Sequence, residues 1–304
     1  MNWYTQFDRL AGIYLSDLKI AEDEPMSRHT SFRVGGPARR MAFPQKGEQI
    51  VLLFQLAEDC GVQPLVIGNG TNLLAPDEGL DRLVIDTSDG FNQITVEDGG
   101  ALTADSGISL ARLADTACKQ GLSGLEFAHG IPGTLGGAVC MNAGAYGGEM
   151  AHVIASVTAL FPGEGVRTLP AEKLEFGYRH SLFTERPDAV VLRASVRLQP
   201  GDPEEIRKTM RDLMERRKTS QPLEYPSAGS TFKRPVGHYA GALIEQCGLK
   251  GFTVGGAQVS EKHAGFVINK GSATSADVRE LIRQVQVRVE AETGVRLEPE
   301  VKII

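Results

Sequence analysis

The chain is poor in the residues that build metal sites and disulfide frameworks. Its 304 residues include four cysteines, Cys60, Cys118, Cys140 and Cys247, spread along the sequence with no C-x-x-C pair. That spacing argues against both a disulfide scaffold and a zinc cluster. The six histidines are dispersed and no H-E-x-x-H occurs, so no metal is expected. No apolar run approaches the ~18 residues that a membrane-spanning helix needs. A basic excess is missing too. The formal net charge is −6 with acids and bases mixed along the chain, which removes the positive field of a nucleic-acid binder. The opening residues, Met-Asn-Trp-Tyr-Thr-Gln-Phe-Asp-Arg, lack the basic-then-apolar pattern of a secretory signal. A cytoplasmic location is expected, without nucleic-acid or membrane partners, and as a monomer.

Glycine is what the chain has in excess, 35 residues in all. Seven fall in the twenty residues from His129 to Gly148. Glycine lets the backbone approach a ligand with no Cβ in the way, and successive N–H groups form a concave anion site. Flexible Gly/Ser linkers lack apolar residues, whereas Ile131, Leu135, Val139, Met141 and Tyr146 interrupt this run. An ordered phosphate cradle is the better reading. A second cluster, Gly68-Asn-Gly-Thr-Asn72, follows the short apolar run Pro64–Ile67. Leu73 stands where a dinucleotide fingerprint would have its third glycine, and no Lys-Ser/Thr pair follows either cluster. A Rossmann domain and a P-loop are both disfavoured.

The length suggests two or so domains at roughly 150 residues each. Helices are predicted near Leu10–Leu18, over Gly47–Cys60, Ser109–Gln120, Gly237–Gly248 and Ser275–Glu292, and after Pro200-Gly-Asp-Pro203. At that last boundary Asp202 can cap and Pro203 fits the first turn. Strands are predicted at His29–Gly36, Arg40–Pro44, Pro64–Gly68, Leu83–Asp86, Gln93–Glu97, Ala101–Ala104, Ile154–Phe161, Val190–Leu198, Phe252–Val259, Gly265–Ile268 and Val295–Ile304. In 190–198 the even-numbered positions are apolar throughout, which predicts one buried face. Thr274 with Asp277 resembles a capping box. On spacing alone, Arg179 in Gly177–Phe183 and Ser230 in Pro226–Pro235 read as ordinary loop residues. Glu300, in an apolar terminal segment, is either an edge residue or an acid aimed into a site.

Taken in chain order, these segments resemble one family, the UDP-N-acetylenolpyruvoylglucosamine reductases, or UDP-N-acetylmuramate dehydrogenases. The matching stretches are His29-Thr-Ser-Phe-Arg-Val-Gly-Gly-Pro37, Ile67–Leu74, Gly130–Ala138, Met141–Gly147, Tyr178-Arg179, Ser227–Lys233, Gly255–Phe266 and Leu297-Glu-Pro-Glu300. The resemblance implies an α+β chain. It would have an FAD-binding domain of the vanillyl-alcohol-oxidase (PCMH) type, in two α/β subdomains, over 29–199, after an N-terminal segment 1–28. A smaller α+β substrate-binding domain over 200–294 and a terminal strand, 295–304, carrying a catalytic Glu would follow.

By the same resemblance, FAD would lie against Gly68, Asn69, Gly70, Thr71 and Asn72 on one side. Gly130, Ile131, Pro132, Gly133, Thr134, Gly136, Gly137, Asn142, Ala145, Tyr146 and Gly147 would form the other. NADPH would reduce the flavin. Its N5 would then pass hydride to C3 of the enolpyruvyl ether of UDP-N-acetylglucosamine, making UDP-N-acetylmuramate for peptidoglycan, hence for cell wall, shape and division. Arg179 and Glu300 would stabilise the aci-carboxylate, and Ser230 would protonate C2, with Lys233 the nearest cation in sequence to assist it. Tyr178, Lys218, Lys233 and Arg234 would bind substrate. Arg234 stands where relatives often carry Asn, and Ala242 where they often carry a longer polar or basic side chain. No tyrosine-bearing insertion lies between Arg179 and Ser230, which implies the shorter, second type. A flavin oxidase of the same fold would share the glycine clusters but not the Ser227–Lys233 and Leu297–Glu300 segments together. A non-catalytic nucleotide binder would need none of Arg179, Ser230 and Glu300.

Overall fold

A computed structural model describes residues 2–97 and 99–304. The chain forms two compact units. One comprises Met1–Glu22, Arg40–Asn69 and Arg82–Arg216, the other Asp23–Arg39, Gly70–Asp81 and Arg217–Ile304. No helix among the described residues is long and apolar enough to cross a membrane.

In the first unit, helices α1 (Trp3–Tyr14) and α2 (Gly47–Asp59) share a core with the sheet strands Pro37–Ala42 and Leu80–Asp86. Phe7 and Ala11 of α1 and Leu53, Leu56 and Ala57 of α2 are buried there. The α1 stripe expected at Leu10–Leu18 is therefore displaced. Ile13 and Tyr14 face outward, and the helix begins at Trp3. The Arg40 guanidinium grips both Asp8 carboxylate oxygens (2.8 and 2.6 Å), fastening α1 to its strand.

The rest of this unit is a five-stranded sheet in the order Gly165–Pro170, Ile154–Phe161, Val190–Arg197, Ala101–Asp105, Ile94–Glu97. Against it pack α3 (Leu110–Lys119), α4 (Leu135–Cys140), the short α5 (Leu182–Glu185) and the first half of α6 (Pro203–Ser220). Strand 190–197 does not keep the single apolar face its sequence suggests. Thr158 pairs with Arg193 but Ala159 with Val191, so Leu192 is an extra residue. Such a bulge reverses the alternation. Val190 and Leu192 enter one core, whereas Val191, Ala194 and Val196 enter another.

The second unit is built on the antiparallel sheet Ser227–Ser230, Phe266–Asn269, Ala257–Val259, Thr253–Val254. Helices α7 (Ala240–Gln246) and α8 (Ser275–Thr293) cover it. The predicted stripe Val278, Leu281, Ile282, Val285, Val289 is the buried face of α8, and Thr274 with Asp277 forms the capping box. Asp77 adds a second cap, accepting from the Ser275 and Ala276 N–H groups (2.7 and 2.9 Å).

Three predicted strands differ here. Residues 29–36 are turns and irregular chain after a 3-10 turn at Met26–Arg28, with Arg33 at φ +56°. The run 252–259 is broken at Gly255-Gly256, where Asp277 packs so closely that no Cβ fits at Gly255. In 295–304 only Lys302–Ile303 is strand, paired in parallel with Leu73–Leu74. Contiguous ranges do not describe this division. Phe32, Val34 and Leu74 are core residues of the unit that also holds 217–304.

Candidate active site

The strand Leu65–Ile67 delivers Gly68 against Thr134. A Cβ on Gly68 would lie 2.9 Å from Thr134 Cγ2 and 3.1 Å from its Cβ, with the hydroxyl nearer still. The two glycine clusters therefore meet at Gly68, and glycine is required there for space. Thr134 caps α4, its hydroxyl accepting from the Gly137 N–H (3.5 Å). The Leu135 and Gly136 N–H groups donate to Ile108 and Ser106 carbonyls (2.9 and 2.8 Å). These donors at the start of α4 are committed within the protein. In this unit the N–H groups of Gly68, Asn69 and Gly130 make no backbone hydrogen bond among the described residues. N–H donors left uncommitted by the backbone suit a phosphate-bearing cofactor such as FAD. The Ser106 hydroxyl, buried beside Gly136, has no hydrogen-bond partner among the described residues. Sequence reasoning passed over it, although the adjoining Gly107 was a signal of close packing.

Asn142, Tyr146 and Arg179 all hold positive φ (41°, 53° and 54°). Asn142 is buried, donating through Nδ2 to the Gly177 carbonyl (3.0 Å) and accepting from the Ala151 N–H (2.9 Å). Gly177 opens the turn that presents Tyr178 and Arg179, and it exchanges backbone hydrogen bonds with His180 (3.1 and 3.2 Å). The Arg179 guanidinium stacks on the exposed Tyr178 ring at 5.3 Å. Ala145 forms a two-residue ladder with Gly148, so the chain doubles back at Tyr146-Gly147.

In the second unit, Ser230 ends its strand after a bulge. Ser227 pairs with Ile268 and Ser230 with Phe266, and Gly229 has φ +74°. A left-handed glycine in a bulge re-aims the next side chain, and Ser230 emerges exposed. The following residues pair with the C-terminal segment. The Glu300 N–H donates to the Thr231 carbonyl and the Lys233 N–H to the Glu298 carbonyl, both at 2.8 Å. Asn72 Nδ2 donates to the Glu300 carbonyl (3.0 Å). The structure thus brings Ser230, Glu300 and Asn72 together in one unit, while Arg179 belongs to the other.

Lys233 extends to Glu298 (3.4 Å), Arg234 stacks on Tyr239 (4.0 Å), and the Lys218 carbonyl accepts from Lys262 Nζ (2.6 Å). His263 is pushed below its ordinary pKa, chiefly by burial.

Comparison with known proteins adds two domain matches. A model of an FAD-binding domain matches residues 38–169. A model of the UDP-N-acetylenolpyruvoylglucosamine reductase C-terminal domain matches residues 221–304. The reductase of that name from Clostridium perfringens is 48% identical across all of this chain and 99% of its own. The chain belongs to the UDP-N-acetylenolpyruvoylglucosamine reductase family. A crystal structure of a family member from Thermus caldophilus superimposes with TM-score 0.78 at 36% identity, covering 94% of this chain and 98% of the other. Alkyldihydroxyacetonephosphate synthase shares only the fold, at TM-score 0.50 and 20% identity, over 65% of this chain and 40% of its own. Family membership and the domain matches make the chain a flavoprotein oxidoreductase with a PCMH-type FAD-binding fold, serving peptidoglycan synthesis.

Proposed function

We propose that the chain uses NADPH to reduce the enolpyruvyl ether of UDP-N-acetylglucosamine to UDP-N-acetylmuramate, as a cytoplasmic monomer. When bound, FAD would supply the redox chemistry that carries hydride from NADPH to C3 of the enolpyruvyl group. Gly68–Asn72, Gly130–Thr134, Gly136, Gly137, Asn142 and Ala145–Gly147 would hold FAD.

Hydride arriving β to a carboxylate drives negative charge onto that carboxylate. Preorganised donors aimed at its oxygens lower the barrier. Arg179 and Glu300 take that role. Ser230 delivers the proton to C2. The observation that carries this reading is the backbone pairing that sets Glu300 directly opposite Thr231, the neighbour of Ser230 (2.8 Å). A serine hydroxyl is a weak acid, and the Lys233 ammonium, paired with Glu298 (3.4 Å), is the nearest cation in sequence to assist it. Tyr178, Lys218, Lys233 and Arg234 bind the uridine diphosphate sugar, and the cations meet its anionic groups.

The test is anaerobic. NADPH should bleach the flavin spectrum, and the enolpyruvyl substrate should restore it. Ser230→Ala should be reduced normally and reoxidised slowly. Reoxidation at wild-type speed in Ser230→Ala would remove Ser230 from the mechanism. NADPH oxidation sustained by oxygen alone would favour an oxidase.

A further inference from the structure

The two glycine clusters have a feature in common that phosphate binding does not require. Each carries an asparagine whose amide holds the backbone that presents one of the two carboxylate-stabilising groups. In the first unit, Asn142 Nδ2 donates to the Gly177 carbonyl (3.0 Å), and its Oδ1 accepts from Ala151 (2.9 Å). Ser181 Oγ reaches the Cys140 carbonyl (2.8 Å) from the other end of the same turn. The turn that keeps Arg179 left-handed is therefore pinned to residues 140–142 at both ends. In the second unit, Asn72 Nδ2 donates to the Glu300 carbonyl (3.0 Å), and the Asn72 carbonyl accepts from the Lys302 N–H (2.9 Å). With its own N–H on Thr231, Glu300 is held on both sides of its backbone. The loop before Asn72 is itself fixed. The Gly70 carbonyl accepts from the Ser31 N–H (3.1 Å), and a Cβ on Gly70 would strike the His29 carbonyl, with Thr30 Cα at 2.9 Å.

We propose that Asn72 and Asn142 are positioning residues, which tie each cofactor-side loop to Glu300 and to Arg179 respectively. The proposal rests on the roles given to those two groups above. Its physical basis is that charge stabilisation in a transition state tolerates displacements of only about 0.5 Å. A loop that registers the cofactor and also holds the stabilising group fixes their spacing in one hydrogen bond. Asparagine suits the task because its short side chain carries an amide donor, and at Asn142 it accepts from Ala151 as well. Aspartate would set an acceptor against the carbonyl. The left-handed backbone of Asn142 is also one that asparagine tolerates well.

The experiment compares flavin reduction by NADPH with flavin reoxidation by the enolpyruvyl substrate, in single turnovers on flavin-loaded protein. Asn72→Asp and Asn142→Asp keep the side-chain shape and each residue's own main-chain hydrogen bonds, and lose only the amide donor. Asn72→Ala and Asn142→Gly serve if either aspartate variant folds poorly. Each variant should lower the ratio of reoxidation to reduction rate by about 10-fold, the worth of one well-placed hydrogen bond. In a Glu300→Ala background the Asn72 change should add less than about 2-fold, and in an Arg179→Lys background it should keep its full effect. Asn142 should show the mirror pattern. Hydrogen exchange on flavin-free protein should quicken at 177–181 for Asn142→Gly and at 300–302 for Asn72→Ala, each without change at the other. An unchanged ratio, full additivity with the partner residue, or equal loss of both half-reactions with flavin release would overturn the proposal. Wild-type reoxidation in Glu300→Ala and Arg179→Ala would refute the catalytic roles themselves, and the proposal with them.

Discussion

Gly68→Ala isolates the contact where the two glycine clusters meet. The added Cβ would sit 2.9 Å from Thr134 Cγ2 and 3.1 Å from Thr134 Cβ, inside the 3.4 Å at which ordinary contact begins. Thr134 cannot turn aside freely, because it is buried and its hydroxyl caps α4. Overpacking of this kind costs ~1–3 kcal/mol. For a unit of this size that is a fall of roughly 3–10 °C in Tm. Thr134→Ala alone removes the cap and costs ~1 kcal/mol. In the double variant the methyl and hydroxyl that collide with residue 68 are gone, so its loss should be smaller than the two single losses added together. Denaturant unfolding of the four proteins, with flavin content measured in each, gives the coupling directly. Gly68→Ala should also lose flavin, and the double variant should recover part of it. A Gly68→Ala protein as stable as wild type with full flavin would refute the steric reading, as would strict additivity.

Three further outcomes are expected. Arg179→Gly should be more stable than Arg179→Ala by ~1 kcal/mol, because only glycine occupies φ +54° without strain. Both should slow substrate-driven reoxidation by roughly 100-fold, and equal stabilities would show that the turn is unstrained. Asp77→Ala removes the acceptor of two N–H groups at the start of α8 and should cost ~1–2 kcal/mol in unfolding. A loss below about 0.3 kcal/mol would mean that Thr274 suffices. Burial lowers the His263 pKa in the folded state from its ordinary 6.5, so its contribution is intact above pH 6.5. It is lost as pH falls toward the lowered folded value, because the unfolded chain takes up the proton first. Replacing it by His263→Asn, which retains an acceptor for the Gly265 N–H, should flatten the fall in Tm between pH 7 and 5 if this linkage holds. An unchanged slope would assign that fall to other groups.

Elements whose instructions are local were readable in advance. Helix α3 has its Ser109 cap and apolar face, α6 its Asp202 and Pro203, and α8 its capping box and five-residue stripe. Elements set by a distant partner were not. Residues 29–36 are extended in neither register nor pairing, because Thr30 Oγ1 closes on the Val34 carbonyl and Asn269 holds the Phe32 carbonyl. The Leu192 bulge comes from the pairing of two strands and leaves no trace in the alternation of one. The terminal segment reads as strand by composition, yet Pro299 has no N–H, and its pairing is confined to Phe232 opposite Pro299 and to the last residues.

The candidate site divides in the same way. Sequence by itself determined the chemistry available. It showed glycine-rich cradles that are neither Rossmann nor P-loop, a polar Ser230 loop, and an arginine and a glutamate in recognisable settings. Only the tertiary structure decided that Gly68 is glycine for want of space beside Thr134, that a bulge presents Ser230, and that Asn72 and Asn142 hold the chain at Glu300 and before Arg179. The physical reason is range. Composition, capping and φ preference act over a few neighbouring residues, whereas the Asn72–Glu300 hydrogen bond joins positions 228 residues apart.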